Sequence, residues 1–456
     1  MDPSKQRNYM MLEAPVNKVI PRLAIPTIIS MLTTSIYSMA DTYFVSQIGT
    51  SASGAVGVIF SAMAMLQAIA FMLGIGSGNN IAQLLGAGNE DEARRYASVG
   101  FFTAFFIGLL IMLIGNLNLA GVVRFLGATE TILPYAVAYA RYIFFAAPFI
   151  MCSFVMNNLL RFSGLAAYAM VGITTGGILN IILDPIFIFV FGLGTAGAAL
   201  ATAFSQLVSF TILLIMCNSR PDAISIDPRR FKPTLKIYYR MLYIGFPSLA
   251  RQGIASISTV ILNKMAGPYG DTAIAALSIV ARFGMFLYAS VIGFGQGFQP
   301  VCGFSYGAHK YSRVKEAFWF CVKVSMIVLL VLAAVSALFS TGIIALFRRD
   351  DPEVIRIGTI ALRLQLMVVP ALGWTIMSNM LTQSIGYGVR ATIMSMARQG
   401  LFLIPLLLIL PHFLGLYGIL TAQPISDVLS MLLSIFIMRG VLRNLDNTEN
   451  NQAPGT

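Results

Sequence analysis

From residue 18 to residue 438 the chain is a succession of apolar stretches, each long enough to cross a bilayer. In lipid only a helix or a closed barrel satisfies its own backbone, and a crossing helix takes about 20 to 25 residues. Bounded by charges and turn residues, the stretches run near 18–46, 54–82, 95–119, 133–160, 166–190 and 195–217, then 237–265, 274–304, 316–346, 354–382, 390–411 and 415–438. These lengths predict twelve transmembrane helices and an all-α polytopic membrane protein. Composition agrees, with 57% hydrophobic and 11% charged residues, the latter less than half of the roughly 25% usual in soluble domains. A cytosolic enzyme, a nucleic-acid binder and a disordered scaffold are excluded.

One long polar connector, 218–236, parts six spans from six. The expected organisation is a cytoplasmic N-terminus (1–17), a first lobe (18–217), the connector (218–236), a second lobe (237–443) and a disordered tail (444–456). The polar N-terminus lacks the apolar core and cleavage site of a signal peptide. Nineteen Lys and Arg fall at loops on one side, from Lys5 and Arg7 through Arg161 and Arg220 to Arg443; the other side has Arg124, Arg348, Arg349 and Arg356. Positive charge stays inside, so both termini and the connector are expected in the cytoplasm, at the cell (inner or plasma) membrane. The same bias accounts for the net charge of +12 without a nucleic-acid partner. Cys152, Cys217, Cys302 and Cys321 form no CxxC pair, and His309 lies far from His412. Neither a disulfide nor a metal framework is expected.

The halves repeat each other. A shift of 221 positions lays Pro26 on Pro247, Gly86 on Gly307, and Gly194 and Gly197 on Gly415 and Gly418. A shift of 222 pairs Pro148 with Pro370, Asn157 with Asn379 and Gly164 with Gly386. Glycine and proline fix kinks and close approaches, which a duplicated fold must keep. Copies with an even number of spans insert the same way, giving two six-helix lobes about a cavity, as in transporters. The Gly74-x-Gly76-x-Gly78 run ends an apolar span with no strand before it, so it reads as helix packing rather than a nucleotide loop.

Ionisable groups within a span cost about 2.5–3.5 kcal/mol each and need a reason. In the first half the acids are Asp41 and Asp184. Asp41 lies 19 residues past Arg22 and Asp184 lies 18 past Ala166, roughly 28 and 27 Å up their helices at 1.5 Å per residue. Two carboxylates on different spans thus reach about the same height. Tyr37 stands one turn from Asp41 and Asn180 one turn from Asp184, while span 6 offers Thr202 and Gln206. Pro185 removes a helical hydrogen bond, which should kink span 5 and free the Ile181 carbonyl. Such oxygens suit a proton or Na⁺. Taken singly, Asp41 could cap a helix end and Asp184 open a turn before Pro185. Against that, the repeat places Leu262 at the position of Asp41, and Pro405 or Leu406 near that of Asp184. A purely architectural need should have survived in both copies.

The second half is basic and amidic instead, with Arg251, Gln252, Lys264, Arg282, Gln296, Arg363, Gln383, Arg398, Gln399 and a single acid inside a span, Asp427. Arg251 and Arg282 either bind an anion or anchor Asp427, or they snorkel.

Several pieces of the chain resemble the MATE (multidrug and toxic compound extrusion) family. They include Leu179-Asn180-Ile181-Ile182-Leu183-Asp184-Pro185-Ile186-Phe187, then Gly194-Thr195-Ala196-Gly197-Ala198-Ala199, and Gln83-Leu84-Leu85-Gly86-Ala87-Gly88. Pro26 with Asp41, and Pro300 with Tyr306-Gly307-Ala308, belong to the same likeness, which covers about 16–443. The resemblance implies a V of two six-helix lobes and a cation-coupled (H⁺ or Na⁺) antiporter that exports amphipathic, often cationic, drug-like compounds. It also implies a cation-responsive N-lobe site of Asp41, Asn180, Asp184 and Thr202, with Tyr37 beside it. Tyr37, Asn157 and Gln206 are the candidate substrate contacts, and Pro26 and Pro185 the candidate hinges. Family members with a C-lobe coupling site carry an acid in span 7 and another in span 10. Here span 7 has Arg251-Gln252, and no acid lies between Arg356 and Ser384. A monomer in the lipid bilayer is expected, with no cofactor besides the coupling ion.

The nearest rival is a flippase for lipid-linked precursors, which would want a cationic cavity. A major-facilitator transporter would show a Gly-x-x-x-Asp-Arg loop after span 2, where the chain reads from Gly86 to Arg95 without it. An intramembrane enzyme would need a nucleophile–base pair or metal ligands, and a channel a filter motif; neither is present in the sequence.

Overall fold

The computed structural model describes residues 3–219, 224–347 and 351–452. Arg220, Arg348 and Arg349 of the charge count lie outside them. Twelve long helices follow one another among the described residues. They are α1 (Val16–Ser46), α2 (Thr50–Gly86), α3 (Glu90–Leu117), α4 (Leu133–Phe162), α5 (Ala166–Pro185) and α6 (Gly194–Asn218) in the first half. The second half has α7 (Leu235–Ala266), α8 (Asp271–Gly307), α9 (Tyr311–Leu338), α10 (Pro352–Ser384), α11 (Gly388–Leu414) and α12 (Leu416–Gln452). No strand occurs among the described residues. Eleven of the helices are long and apolar enough to cross a membrane. The other, α7, is just as extended at 32 residues, but Lys236, Arg240, Arg251 and Lys264 lower its hydropathy.

Packing repeats as the sequence does. Within the N-lobe α2 packs on α3 and α4, α4 on α3, α5 and α6, and α5 on α1 and α6; each pair has its counterpart six helices on. Even the short helices Leu119–Phe125 and Ser340–Phe347 occupy matching turns. The lobes meet through α1 on α8, α2 on α7 and α2 on α8. At the last crossing a Cβ on Gly86 would stand 2.1 Å from the Phe304 carbonyl oxygen, and one on Gly307 1.9 Å from that of Gln83. Any larger residue at either position would force the helices apart. Among the described residues, the hydrogen bonds that join the halves all fall at the end bearing the termini, as between Gln83 Nε2 and the Ser384 carbonyl at 2.6 Å.

A short helix, Pro3–Leu12, straps that end. Arg7 pairs with Glu90 of α3 at 2.9 Å. Arg313 of α9 donates to the Met11 and Ala14 carbonyls at 3.1 and 2.6 Å, and Lys310 to that of Leu12 at 3.3 Å. Two cations thereby satisfy carbonyls that a helix C-terminus leaves open.

Two expectations need correction here. The polar stretch from 444 is not a disordered tail as far as Gln452, because α12 runs through it. Lys315 holds the extension, reaching Asp446 at 2.6 Å and Glu449 at 2.8 Å; residues 453–456 lie outside the described part. Arg161, counted as a loop charge, closes the last turn of α4 and is 1% exposed.

Candidate functional site

The helices that carry the N-lobe acids pack on each other, and the charge of Asp41 bears on Asp184. Asp41 and Asp184 are both buried, on α1 and α5. Asn180 lies one turn before Asp184 and points its amide at two oxygens, Asp184 Oδ1 at 3.2 Å and Thr202 Oγ1 at 3.3 Å. It therefore ties α5 to α6. At Pro185, where a kink was expected, α5 ends and a π-helical turn, Ile186–Val190, follows directly. Such turns recur at functional sites.

Tyr139 of α4, fully buried, donates its hydroxyl to Asp41 Oδ2 at 3.2 Å. Sequence reading missed it. The signal was available: Tyr139 lies 22 residues before Arg161, roughly 33 Å along the helix, within about one turn of the height of the acids. Its repeat partner at a shift of 222 is Ala361, so it too is confined to the first lobe.

After these bonds are made, one oxygen of each key group remains buried without a partner, namely Asp41 Oδ1, Asp184 Oδ2 and Asn180 Oδ1. The charge of Asp41 bears on Asp184, and the two carboxylates repel each other when both are charged. Uncommitted oxygens and an unrelieved repulsion are what a proton or a hard cation would remove. Among the described residues no three His, Cys, Asp or Glu gather as a metal cluster; a cation here would rest on two carboxylates with amide and hydroxyl oxygens.

The other candidates divide. Tyr37 is buried beside Asp41, its ring 3.1 Å from where a Cβ on Gly177 would stand. It thus packs between α1 and α5, inside the lobe. Gln206 is half-buried on α6, its Oε1 enclosed and unpartnered. Asn157 does not join the cluster. Its amide donates to the Ala169 carbonyl at 3.0 Å, and Asn379 repeats the contact to Ala391 at 2.7 Å. A contact kept in both copies is architectural, fastening α4 to α5 and α10 to α11. Pro26 lies within an unbroken α1.

In the C-lobe Asp427 is anchored by Arg398 rather than by Arg251 or Arg282. Arg398 Nε reaches Asp427 Oδ1 at 2.7 Å, Gln423 adds a bond to the same oxygen at 2.9 Å, and Gln365 donates to Oδ2 at 2.8 Å. The guanidinium of Arg398 also lies 5.1 Å over the Tyr288 ring.

The family described as MatE matches residues 26–186 and 247–409, one segment in each lobe. The multidrug export protein MepA of Staphylococcus aureus is 28% identical over 433 residues, 94% of this chain and 95% of that protein. The MepA of Staphylococcus saprophyticus is 27% identical over 435 residues, again 94% and 95%. Among solved structures, an outward-facing multidrug resistance MATE family transporter superposes with a TM-score of 0.90 at 27% identity, over 96% of this chain and 98% of that one. A MATE structure in a straight conformation gives 0.91 at 27% identity, over 96% and 99%.

Proposed function

The chain belongs to the MatE family, and on that premise we propose that it exports drug-like compounds across the cell membrane in exchange for an entering cation, H⁺ or Na⁺. The relatives named for multidrug export support the cargo class. The coupling rests on one observation, that Asp41 and Asp184 are buried on packed helices, act on each other electrostatically and each keep an oxygen without a hydrogen-bond partner. With both carboxylates charged, repulsion and the cost of burial oppose a collapsed N-lobe. A proton on either acid, or Na⁺ between them, removes that opposition. Asn180, Thr202 and Tyr139 orient the oxygens, so the gain depends on α1, α4, α5 and α6 drawing together. Binding the cation then favours one shape of the lobe and releasing it the other, which is how a ligand with unequal affinity for two states drives their exchange. The exchange of shapes would bend α1 at Pro26, whose missing N–H leaves the Arg22 carbonyl free of its helical bond.

Both termini are placed in the cytoplasm by the charge bias. Arg251 and Arg282, which form no ion pair among the described residues, favour the rival reading, a flippase for anionic lipid-linked precursors, but that reading gives the buried N-lobe acids no task. The deciding experiment loads purified protein into liposomes and measures substrate efflux under H⁺ and Na⁺ gradients imposed separately. Efflux driven by one gradient and collapsed by its ionophore is the expected result. Compound movement indifferent to both gradients would end the antiport reading.

A further inference from the structure

Pro300 interrupts α8 and has no N–H to give, so the Gln296 carbonyl, four residues back, loses its helical donor. The donor that reaches it comes from the other lobe. Arg161, in the last turn of α4, donates Nη1 to that carbonyl at 3.1 Å and to Gln299 Oε1 at 3.4 Å. Its Nη2 is held by Asn158 Oδ1, and its guanidinium lies 4.7 Å over the Phe162 ring. Gln299 Nε2 passes the chain of bonds on to Gln383 Oε1 at 3.2 Å, and Gln383 ends it on the Ile244 carbonyl at 2.9 Å and Ser248 at 3.1 Å. A shift of 222 lays Gln383 on Arg161. The repeat thus brings two equivalent positions, one from each lobe, to the same amide at the junction.

The junction is sealed yet under-satisfied. Arg161, Asn158, Gln296, Gln299 and Gln383 are all buried. Arg161 Nε and both amide atoms of the neighbouring-span Asn79 have no partner. Among the described residues Arg161 has no salt-bridged carboxylate, so neutral oxygens alone compensate its charge, and two of them belong to the C-lobe. A buried cation is tolerated only while such bonds are complete. Separating the lobes at this end would expose the whole relay to water.

We propose that Arg161, acting with Gln296, Gln299 and Gln383, is the gate that closes the transport path at the terminus-bearing end. This rests on the alternating-access reading above. Arg161 is a positioning residue: it holds the lobes together without touching cargo or coupling ion. Removing it leaves the Gln296 carbonyl, Gln299 Oε1 and Asn158 Oδ1 without their donor when the gate is shut, whereas water serves them when it is open. Truncation should therefore favour the open gate.

The test places nitroxide labels at Ala87→Cys and Asn447→Cys, exposed positions on different lobes at this end; the four native cysteines are buried. Pulsed electron-spin distances in liposomes then read the two populations directly, without a transport assay. Arg161→Met should raise the long-distance population roughly tenfold against the short one, equivalent to about 1.4 kcal/mol. Arg161→Lys should recover part of the shift. Gln299→Met should move it the same way by less, and the double variant no further than Arg161→Met alone. An unchanged ratio in Arg161→Met, or in Gln299→Met should the former not insert, overturns the gate. A parent protein confined to one distance under every gradient overturns alternating access itself, a separate and recognisable failure.

Discussion

The N-lobe and the C-lobe carry the same row of polar positions on corresponding helices and finish it differently. On α6 the row is Thr202, Ser205, Gln206 and Ser209; on α12 a shift of 221 gives Gln423, Ser426, Asp427 and Ser430. In the C-lobe Arg398 fills the space before the row. Its Nε neutralises Asp427, and its carbonyl accepts from Ser426 at 2.5 Å. In the N-lobe, among the described residues, no cation pairs with Asp41 or Asp184. Ser205 and Gln206 Oε1 are buried without partners, and above them Asp41 and Asp184 each keep a free oxygen; Ser209 and its counterpart Ser430 both lack a partner, so that position is the same in the two lobes. A carboxylate already holding an arginine cannot take up a second cation without abandoning the first, and an abandoned buried charge is costly. A carboxylate held only by hydroxyls and amides can take a proton or Na⁺ and release it again. The fold is shared between the lobes; charge compensation is what distinguishes them, and on the proposed function it separates their tasks.

That contrast can be broken most directly at the acids. Asp41→Asn and Asp184→Asn should each abolish gradient-driven efflux in protein that still inserts, and the double variant should be no worse, because residues acting as a unit are not additive. Wild-type transport in either single variant removes that residue from coupling. A smaller loss is expected for Tyr139→Phe, which takes one hydrogen bond from Asp41. A bond to a charged group contributes about 1.5–3 kcal/mol, so efflux should fall about tenfold or more while compound binding is kept; a rate equal to the parent's would make Tyr139 mere packing. Pro26→Ala, which restores the N–H to α1, should slow turnover a few-fold and leave binding nearly untouched, roughly 1 kcal/mol on the barrier. Unchanged turnover there counts against the hinge. The smallest effect on coupling should come from Asp427→Asn. It orphans Arg398 and should lower stability by about 3–5 kcal/mol, seen as an earlier thermal transition, yet the folded fraction should keep its response to the gradient. Loss of that response with Asp41→Asn still active would reverse the assignment of the lobes.

Much of this arrangement is legible along the chain. Apolar length sets the helices, recurring glycine and proline expose the duplication, and residues per turn put Asp41 and Asp184 at one height and on faces shared with Tyr37 and Asn180. The contacts that set the proposed site and gate apart come from elsewhere. Tyr139 reaches Asp41 across 98 residues, Arg398 reaches Asp427 across 29, and Arg161 reaches Gln296 across 135. Periodicity fixes how deep a side chain lies and which way it faces, but not which helix faces it. Asn157 and Arg161 are four residues apart on one helix and look equally polar in sequence. Packing turns the first into a fastening repeated in both lobes and buries the second at the junction between them. Sequence alone therefore determined the membrane fold, its duplication and the depth of its acids. Only the tertiary structure decided which charges are compensated, because compensation depends on neighbours that helix packing, rather than chain order, brings within hydrogen-bond reach.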